Sequence, residues 1–317
     1  MYENKKVLLI GGGGTLGTYT AEELLKKGCY VDIICPEDKT SDFEKLTFFK
    51  AKSSPEYLEE LFSHKHYDAI VDFVHYPDPD EYIPFFNVLS ANTEHLLYLS
   101  SYRVYADSKD VLTENSSLWS PENPHDDFFF ENEDYALSKI KNEKYIKEHS
   151  TAKNWTIVRP VISFSKYRMD VVIHSGTKVI DCAKRGEPIP VPICTREKTA
   201  GLDWAGNTGK IIANLLFKKD ALGEIFTISS AQNLTWGQVA DIYTELIGAK
   251  FNWIDTDEYI KLEPKLKDNQ WILIYDRVLD RRIDNSKVLK VTGLKKEDFT
   301  SIRDGIRIEL KKLGILN

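Results

Sequence analysis

The sequence predicts an α/β fold, a doubly wound parallel sheet that carries a smaller mixed α/β lobe. Short apolar runs, beginning with residues 7–10, alternate with helical patterns over the first hundred residues, which is typical of βαβ units. The first apolar run ends in a glycine-rich turn that opens a helix. The chain has 317 residues, of which 42% are hydrophobic and 29% charged, so it can bury a large core.

The elements follow one another in the order that such a sheet requires. The continuous apolar run at residues 7–10 indicates a buried parallel strand. A helix is expected over residues 15–27, and Gly28 is the residue type that commonly ends a helix. The later strands are expected at 30–35, 48–49, 69–74, 96–99 and 155–158, with helices at 55–62, 81–90 and 134–149. Right-handed crossovers would join these strands in parallel.

Residues 102–133 interrupt this alternation. They are rich in Asp, Asn, Ser, Pro and Glu, which predicts an ordered loop lying over a site. The loop contains Phe128, Phe129 and Phe130, for which buried packing is favoured over a role in capping that site.

The second part of the chain has a mixed pattern. Helices are expected near 173–185, 204–217, 235–247 and 300–313, with strands near 188–192 and 224–228. We therefore expect a first lobe of residues 1–165, to which segments such as 200–230 return, and a second lobe built mainly from residues 166–317.

Charge and composition exclude several classes of function. The formal net charge of −7 gives no general reason to bind nucleic acid or an anionic membrane. No apolar run approaches the roughly 18 residues of a membrane span, and no signal peptide is visible. The seven histidines form no tight ligand cluster, so no metal site is predicted. A cytoplasmic protein is expected, because the cysteines form no C-x-x-C pair and no disulfide framework. They are Cys29, Cys35, Cys182 and Cys194.

The glycine-rich turn predicts a dinucleotide site. Glycines permit a tight turn and let backbone N–H groups approach a pyrophosphate, which the positive end of the following helix also favours. A plain strand-to-helix turn is the alternative, but this motif has the strand–turn–helix context that dinucleotide binding requires. The residues expected to contact the cofactor here are Gly11, Gly13, Gly14, Thr15, Leu16 and Gly17.

The choice between NAD and NADP stays open at this point, with NAD slightly favoured. An acidic residue at the end of the second strand would hold the ribose hydroxyls of NAD, but Cys35 stands there. Glu37 or Asp38 could reach the ribose instead, and Lys39 could equally reach a 2′-phosphate.

A tyrosine, a lysine and a serine are the candidate catalytic residues. Tyr135 and Lys139 stand at i and i+4, so a helix would place them on one face. A phenol ionises at about pH 10, and a nearby ammonium would stabilise its phenolate for proton exchange with a hydroxyl or carbonyl group. Ser101 follows the fifth strand, at the sheet edge where open α/β sheets bind ligands. The alternatives are an exposed helix that carries Tyr and Lys by chance and a simple strand-to-loop transition.

Together these motifs resemble a known family. The glycine turn is followed by Ser100-Ser101-Tyr102-Arg103-Val104-Tyr105, by Tyr135 to Lys139, by Val158-Arg159-Pro160, by the block at 223–236 and by Asp284-Asn285-Ser286-Lys287. Over nearly its whole length the chain resembles the extended short-chain dehydrogenases/reductases, of the NAD-dependent epimerase/dehydratase type. The resemblance implies Rossmann topology, with a dinucleotide-binding first lobe and a substrate-binding second lobe.

The resemblance also implies roles for single residues. Tyr135 would be the acid/base, Lys139 would hold the nicotinamide ribose and tune Tyr135, and Ser101 would orient the substrate oxygen, with Tyr102 beside it. Pro160 and Val161 would lie near the nicotinamide ring. Helices at 79–91 and 134–149 would form a homodimer.

The implied function is an NAD(P)-dependent oxidoreductase, epimerase or dehydratase. It would act on a hydroxyl or keto group of a small-molecule substrate, plausibly a sugar or nucleotide sugar. The alternative is a non-catalytic relative that senses a cofactor or binds RNA, although the net charge weakens nucleic acid as a ligand.

The sequence departs from the family pattern around the cofactor. Lys50-Ala51-Lys52 replaces the usual Gly-Asp after the third strand. The fourth strand ends in Phe73-Val74-His75-Tyr76, where small residues normally face the cofactor, so Val74 and His75 are expected to contact it. These changes indicate an altered cofactor site, or drift at tolerant positions.

Arginines in the second half of the chain are weaker candidates. Arg196 lies seven residues before Asp203, a spacing that resembles the arginine binding the diphosphate of nucleotide sugars in some epimerases. A surface loop is the alternative. Arg277, Arg281 and Arg282 could line the same lobe or form a solvated face.

Overall fold

The central element is a parallel sheet of seven strands. The structure is a computed structural model that describes residues 2–120, 127–263, 266 and 270–317. The described strands of the chain, seven of which form this sheet, are β1 (Lys6–Ile10), β2 (Tyr30–Cys35), β3 (Leu46–Lys50), β4 (Ala69–Asp72), β5 (Leu96–Leu99), β6 (Trp155–Pro160), β7 (Ile162–Phe164), β8 (Pro188–Pro192), β9 (Leu202–Trp204), β10 (Glu224–Ile228) and β11 (Lys250–Ile254). The order across the sheet is β10-β6-β5-β4-β1-β2-β3, with all neighbours parallel. This confirms the predicted doubly wound Rossmann topology.

Helices cover both faces of the sheet. Those described are α1 (Thr15–Lys26), α2 (Pro55–His64), α3 (Pro79–Ala91), α4 (Asp127–Asn132), α5 (Asp134–His149), α6 (Gly176–Arg185), α7 (Ala205–Leu215), α8 (Trp236–Ile247), α9 (Thr256–Leu262), α10 (Ser286–Thr292) and α11 (Ile302–Lys312). Alternate residues of β1 serve the two faces: Val7 and Leu9 belong to the core that includes α1 and α7, whereas Leu8 and Ile10 belong to the core that includes α2 and α3. A strand buried on both faces needs a continuous apolar run, so β1 could be predicted from the sequence.

The second lobe has its own core and two short sheets. The strand β11 pairs in parallel with β8, and β9 pairs in parallel with β7. The sequence predicted β8 but not the other three, because each is at most five residues long and lacks a clear alternation. The predicted helix near 173–185 begins only at Gly176, since Ser175 caps it through Lys178 N.

The fourth strand is shorter than predicted. It ends at Asp72 rather than at residue 74, because the Asp72 carboxylate accepts a hydrogen bond from Val74 N (3.0 Å) and turns the chain out of the sheet. The sixth strand, in contrast, continues to Pro160.

The loop before α5 is partly described. Phe129 is buried and stacks on Trp119, with ring centroids 4.2 Å apart, which confirms packing for this phenylalanine. Residues 121–126 of the predicted loop lie outside the described residues.

Candidate active site

The glycine turn between β1 and α1 is a cradle that only glycine permits at its base. A Cβ on Gly17 would lie 2.1 Å from the carbonyl oxygen of Gly12, so the first turn of α1 packs directly on the loop. Gly11 has a φ of +70°, which favours glycine. A Cβ on Gly14, in contrast, would meet nothing within 4 Å. The loop therefore leaves open space above the N-terminus of α1, which fits a pyrophosphate.

A cavity of about 450 Å³ joins this cradle to the candidate catalytic residues. Of the predicted site residues, its lining includes Gly11, Gly14, Thr15, Leu16, Gly17, Ser101, Tyr102, Tyr135, Pro160 and Val161. The joining follows from the topology, because β6, β5, β4 and β1 lie side by side in this order in a parallel sheet and end at the same edge. The predicted residues Gly13, Cys35, Val74, His75, Lys139 and Arg196 are not in this lining.

Tyr135 stands at the start of α5 and faces Ser101 at the end of β5. Burial raises the pKa of the phenol above its ordinary value, while the charge of Arg103 and the nearby Ser101 hydroxyl oppose this rise. Glu133 fixes the start of α5, since its carboxylate accepts a hydrogen bond from Ala136 N (2.5 Å).

Lys139 is buried one helical turn beyond Tyr135. Its Nζ donates to the carbonyl of Leu99 (2.6 Å) and lies 6.0 Å from the centre of the Tyr135 ring. Burial lowers the pKa of Lys139 to about 8, while the charges of Asp72 and Glu143 oppose this effect. Arg103 is a second cation beside Tyr135, and its guanidinium lies nearer to the ring centre than Lys139 Nζ does.

Arg103 is held against Tyr135 by three contacts. Its Nη2 donates to the Glu133 carboxylate at 2.7 Å. Its guanidinium lies 5.1 Å from the Tyr135 ring centre and 4.4 Å from that of Trp271. Sequence reasoning quoted Arg103 within a motif but assigned it no role. The feature of the sequence that could have indicated a role is its position, two residues after the candidate serine Ser101.

The side of the cradle next to the end of β2 contains mixed charges. Cys35 and Glu37 lie against Gly13, where a Cβ would be 2.7 Å from both Cys35 Cβ and Glu37 Oε2. Lys39 Nζ donates to the Gly13 carbonyl. The carboxylate of Glu37 therefore lies beside the cradle, although the end of β2, where an acidic residue was expected, is occupied by Cys35.

Val74 and His75 lie on the opposite side of the cradle. Val74 Cγ2 would be 3.1 Å from a Cβ on Gly11. The His75 ring packs on Tyr135 with centroids 4.7 Å apart, and its Nε2 is 3.1 Å from Ser138 Oγ. Burial lowers the pKa of His75, and the charges of Lys139 and Arg103 lower it further.

The candidate arginines of the second half divide into two groups. Arg196 is half exposed and lies 5.8 Å from the ring centre of Trp253. Arg277 and Arg281 are buried and pair with Asp276, which the sequence did not single out. Asp276 lines the cavity and accepts a hydrogen bond from Tyr102 Oη (3.1 Å). Arg282 is half exposed and donates to the carbonyl of Lys109.

No described helix has the length and apolar character needed to cross a bilayer. His66, Asp68 and Glu94 bring potential metal ligands within 4.8 Å of one another, but Asp68 already pairs with Lys5 Nζ at 2.5 Å.

The sheet, the glycine cradle and the Tyr-x-x-x-Lys helix beside it define an extended short-chain dehydrogenase/reductase. More narrowly, the chain belongs to the NAD dependent epimerase/dehydratase family, whose model matches residues 7–204. No curated protein matches the chain in sequence.

Solved structures share the fold at low sequence identity. Epimerase Mth375 from Methanothermobacter thermautotrophicus superposes with a TM-score of 0.73 at 18% identity, covering 99% of this chain and 93% of that one. WbmG from Bordetella bronchiseptica in complex with NAD gives 0.70 at 16% identity, with 99% and 96% covered. The UDP-glucose 4-epimerase of Thermotoga maritima with UDP-glucose gives 0.69 at 15% identity, with 98% of each chain covered.

Proposed function

We propose that this protein is an NAD-dependent enzyme of the epimerase, dehydratase or oxidoreductase type that acts on a hydroxyl or keto group of a nucleotide sugar. One observation carries the proposal: Tyr135 and Ser101 line the same cavity as the glycine cradle. A dinucleotide lying on the cradle and a sugar hydroxyl at Tyr135 would thus share one cleft.

The residues of the cradle fit the dinucleotide. The open space above Gly14 and the backbone N–H groups at the start of α1 would hold the pyrophosphate. Lys139 would hold the nicotinamide ribose, and Pro160 and Val161 would form the wall beside the ring. When bound, nicotinamide supplies a hydride acceptor or donor.

Tyr135 and Ser101 would handle the proton. Tyr135 Oη accepts the proton of the substrate hydroxyl on oxidation and returns it on reduction, which is general acid–base catalysis. Ser101 donates a hydrogen bond to the same substrate oxygen and stabilises the charge that develops there. The nearby charge of Arg103 favours the phenolate form that accepts the proton.

NAD rather than NADP is the proposed cofactor. The Glu37 carboxylate beside Gly13 can accept hydrogen bonds from the ribose hydroxyls and would repel a 2′-phosphate. Lys39 stands close by, but its ammonium already donates to the Gly13 carbonyl.

The roles of the two lobes, the oligomeric state, the location and the substrate class are proposed from membership of the family. Residues 1–165 would bind the dinucleotide and residues 166–317 mainly the substrate. A homodimer through α3 and α5 and a cytoplasmic location are part of the same proposal. The nucleotide-sugar substrate is supported by the family and by solved structures of similar fold, one of which carries UDP-glucose.

The test replaces Tyr135 with Phe. Purified protein with NAD⁺ is incubated with UDP-sugars, and products are separated by chromatography. We expect Y135F to lower turnover by about 100-fold or more, because it removes the acid/base, while NADH binding measured by fluorescence stays within about threefold of wild type. Wild-type turnover that survives in Y135F would contradict the proposal. Wild type that binds NADH but turns over no sugar would favour the non-catalytic alternative.

A further inference from the structure

Two arginines, to which the sequence motifs give no role, line the cavity beside Tyr135. Arg103 follows Ser101 at the end of β5, and Arg168 lies on the turn after β7. Both are close enough for their charges to lower the pKa of Tyr135. They are therefore placed at the reacting end of the cleft, where the substrate hydroxyl would meet the phenol.

The turn that carries Arg168 is fixed to the cofactor cradle. The backbones of Ser165 and Arg168 exchange hydrogen bonds of 3.0 and 2.8 Å, and Ser165 Oγ lies 3.0 Å from Thr15 Oγ1. The side chain of Arg168 is 50% exposed and pairs with Asp170 through Nε (3.0 Å). The terminal nitrogens of this guanidinium make no hydrogen bond with the described residues.

Arg103 presents its guanidinium in a fixed orientation. The planar group stacks against Tyr135 and Trp271, and one edge is taken by Glu133. Stacking occupies the faces of a guanidinium and leaves its N–H edge available for an anion. The side chain has 20% exposure and belongs to the cavity wall.

The charges around this wall leave an excess of positive charge. Asp276 also lines the cavity, but both of its oxygens accept hydrogen bonds from buried arginines and from Tyr102. Of the described side chains, Arg103, Arg168 and Asp276 line the cavity. With the residues that pair with them, they form a group of four guanidinium groups and three carboxylates: Arg103, Arg168, Arg277 and Arg281 with Glu133, Asp170 and Asp276. A bound anion would balance the charges, and a neutral hexose would not.

We propose that Arg103 and Arg168 form a subsite for a carboxylate of the substrate next to the carbon at which Tyr135 acts. The substrate is then an acidic nucleotide sugar, a uronate, rather than a neutral one. This inference rests on the proposed function, because it assumes that the sugar lies at Tyr135. A phosphate is the other anion that two arginines could hold, and the test separates the two.

The probes are UDP-glucuronate, UDP-glucose and UDP, and the measurement is isothermal titration calorimetry on wild-type protein and variants. We expect wild type to bind UDP-glucuronate at least about tenfold more tightly than UDP-glucose, since a charge-assisted hydrogen bond contributes this much. In R168M and R103M this preference should fall toward one, with UDP affinity unchanged. R168M removes a half-exposed side chain and should fold even if R103M, which leaves Glu133 without its cation, does not.

The control is R185M. Arg185 matches Arg168 in exposure (55%) and pairs with Glu187 at 2.8 Å on the surface, away from the cavity lining. R185M should keep the wild-type preference. Equal binding of the two sugars by wild type, or binding of neither, would overturn the inference. So would an equal loss for all three ligands in R168M, because the arginines would then hold the diphosphate. Turnover of neutral sugars that depends on Tyr135 would leave the proposed function intact in each of these cases.

Discussion

At the scale of single residues, two cations lie near the Tyr135 ring, Lys139 of the motif and Arg103 from the end of β5. Lys139 donates to the Leu99 carbonyl and has its own pKa lowered by burial. Arg103 packs directly on the phenol ring and opposes the rise in its pKa. The i, i+4 spacing could predict that Tyr135 and Lys139 share a helix face. It could not show which cation lies closest to the ring, because Arg103 comes from a separate strand end.

His95 is a buried histidine directly before β5, and its protonation can be tested through the pH dependence of folding stability. Phe217 N donates to its Nδ1 (3.1 Å), so the proton sits on Nε2, which bonds with Thr156 Oγ1 (2.8 Å). Burial lowers the pKa of His95 to about 4. The unfolded chain takes up a proton on this side chain near pH 6.5, and the folded chain does not, so folding stability is lost as pH falls from about 6.5 toward 4.

We predict that this group contributes a loss of about 3 kcal/mol in unfolding free energy over that range. Urea unfolding at pH 7, 6, 5 and 4 measures the slope. H95Q should show a shallower slope than wild type, whatever its absolute stability. H64Q, at an exposed histidine outside the His66, Asp68 and Glu94 cluster, is the matched control. Identical slopes in H95Q and wild type would contradict the assignment of a neutral buried imidazole.

At the scale of elements, the glycine loop offers a matched pair of substitutions. In G17A the new Cβ would overlap the Gly12 carbonyl oxygen at 2.1 Å, so we expect a loss of about 2 kcal/mol or more in unfolding free energy. In G14A the Cβ meets nothing within 4 Å and the backbone φ of −87° suits alanine, so stability should stay within about 0.5 kcal/mol of wild type.

The G14A substitution also separates an effect on folding stability from an effect on NADH binding. G14A should nevertheless weaken NADH binding, because its methyl group enters the space proposed for the pyrophosphate. Urea unfolding and NADH fluorescence titration measure the two effects. G14A that binds NADH as wild type does would show that the dinucleotide does not lie over this residue.

The elements of the first lobe could be predicted well from sequence, and those of the second less so. Buried parallel strands such as β1 and β5 are continuous apolar runs, and α5 has a long, capped helical pattern. The short strands β7, β9 and β11 depend on pairing partners far along the chain, so no local signal marks them. Asp276 lies in a π-helical turn, Leu273–Arg277, and its burial between two arginines depends on the fold.

A buried ion pair joins α5 to the sheet. Arg159 of β6 donates twice to Glu143 of α5, at 2.9 and 2.5 Å, and Ser100 Oγ donates to the same carboxylate at 2.5 Å. The pair therefore ties α5, which carries Tyr135, to the strand ends that carry Ser101 and Pro160. Breaking a buried pair of this kind is costly because the remaining charge has no compensation.

At the scale of the whole molecule, late segments complete the first lobe. The strand β10 forms the edge of the central sheet beside β6, and α7 packs on α1. The cleft then lies between the carboxyl edge of this sheet and the second lobe, which contributes Arg168 and Asp276 to its wall. The cradle, the acid/base candidate and the proposed anion subsite thus occur in one continuous cavity.

The proposed function requires that this cavity bind a nicotinamide dinucleotide. The most direct test is thermal unfolding of the purified protein with NAD⁺, NADH, NADP⁺ and NADPH in turn. A ligand at 100 times its dissociation constant adds about 2.7 kcal/mol of stability, which raises the melting temperature by roughly 4 °C in a protein of this size. We predict such a shift with NAD⁺ or NADH and a smaller one with the phosphorylated pair. No shift with any of the four nucleotides would contradict the account.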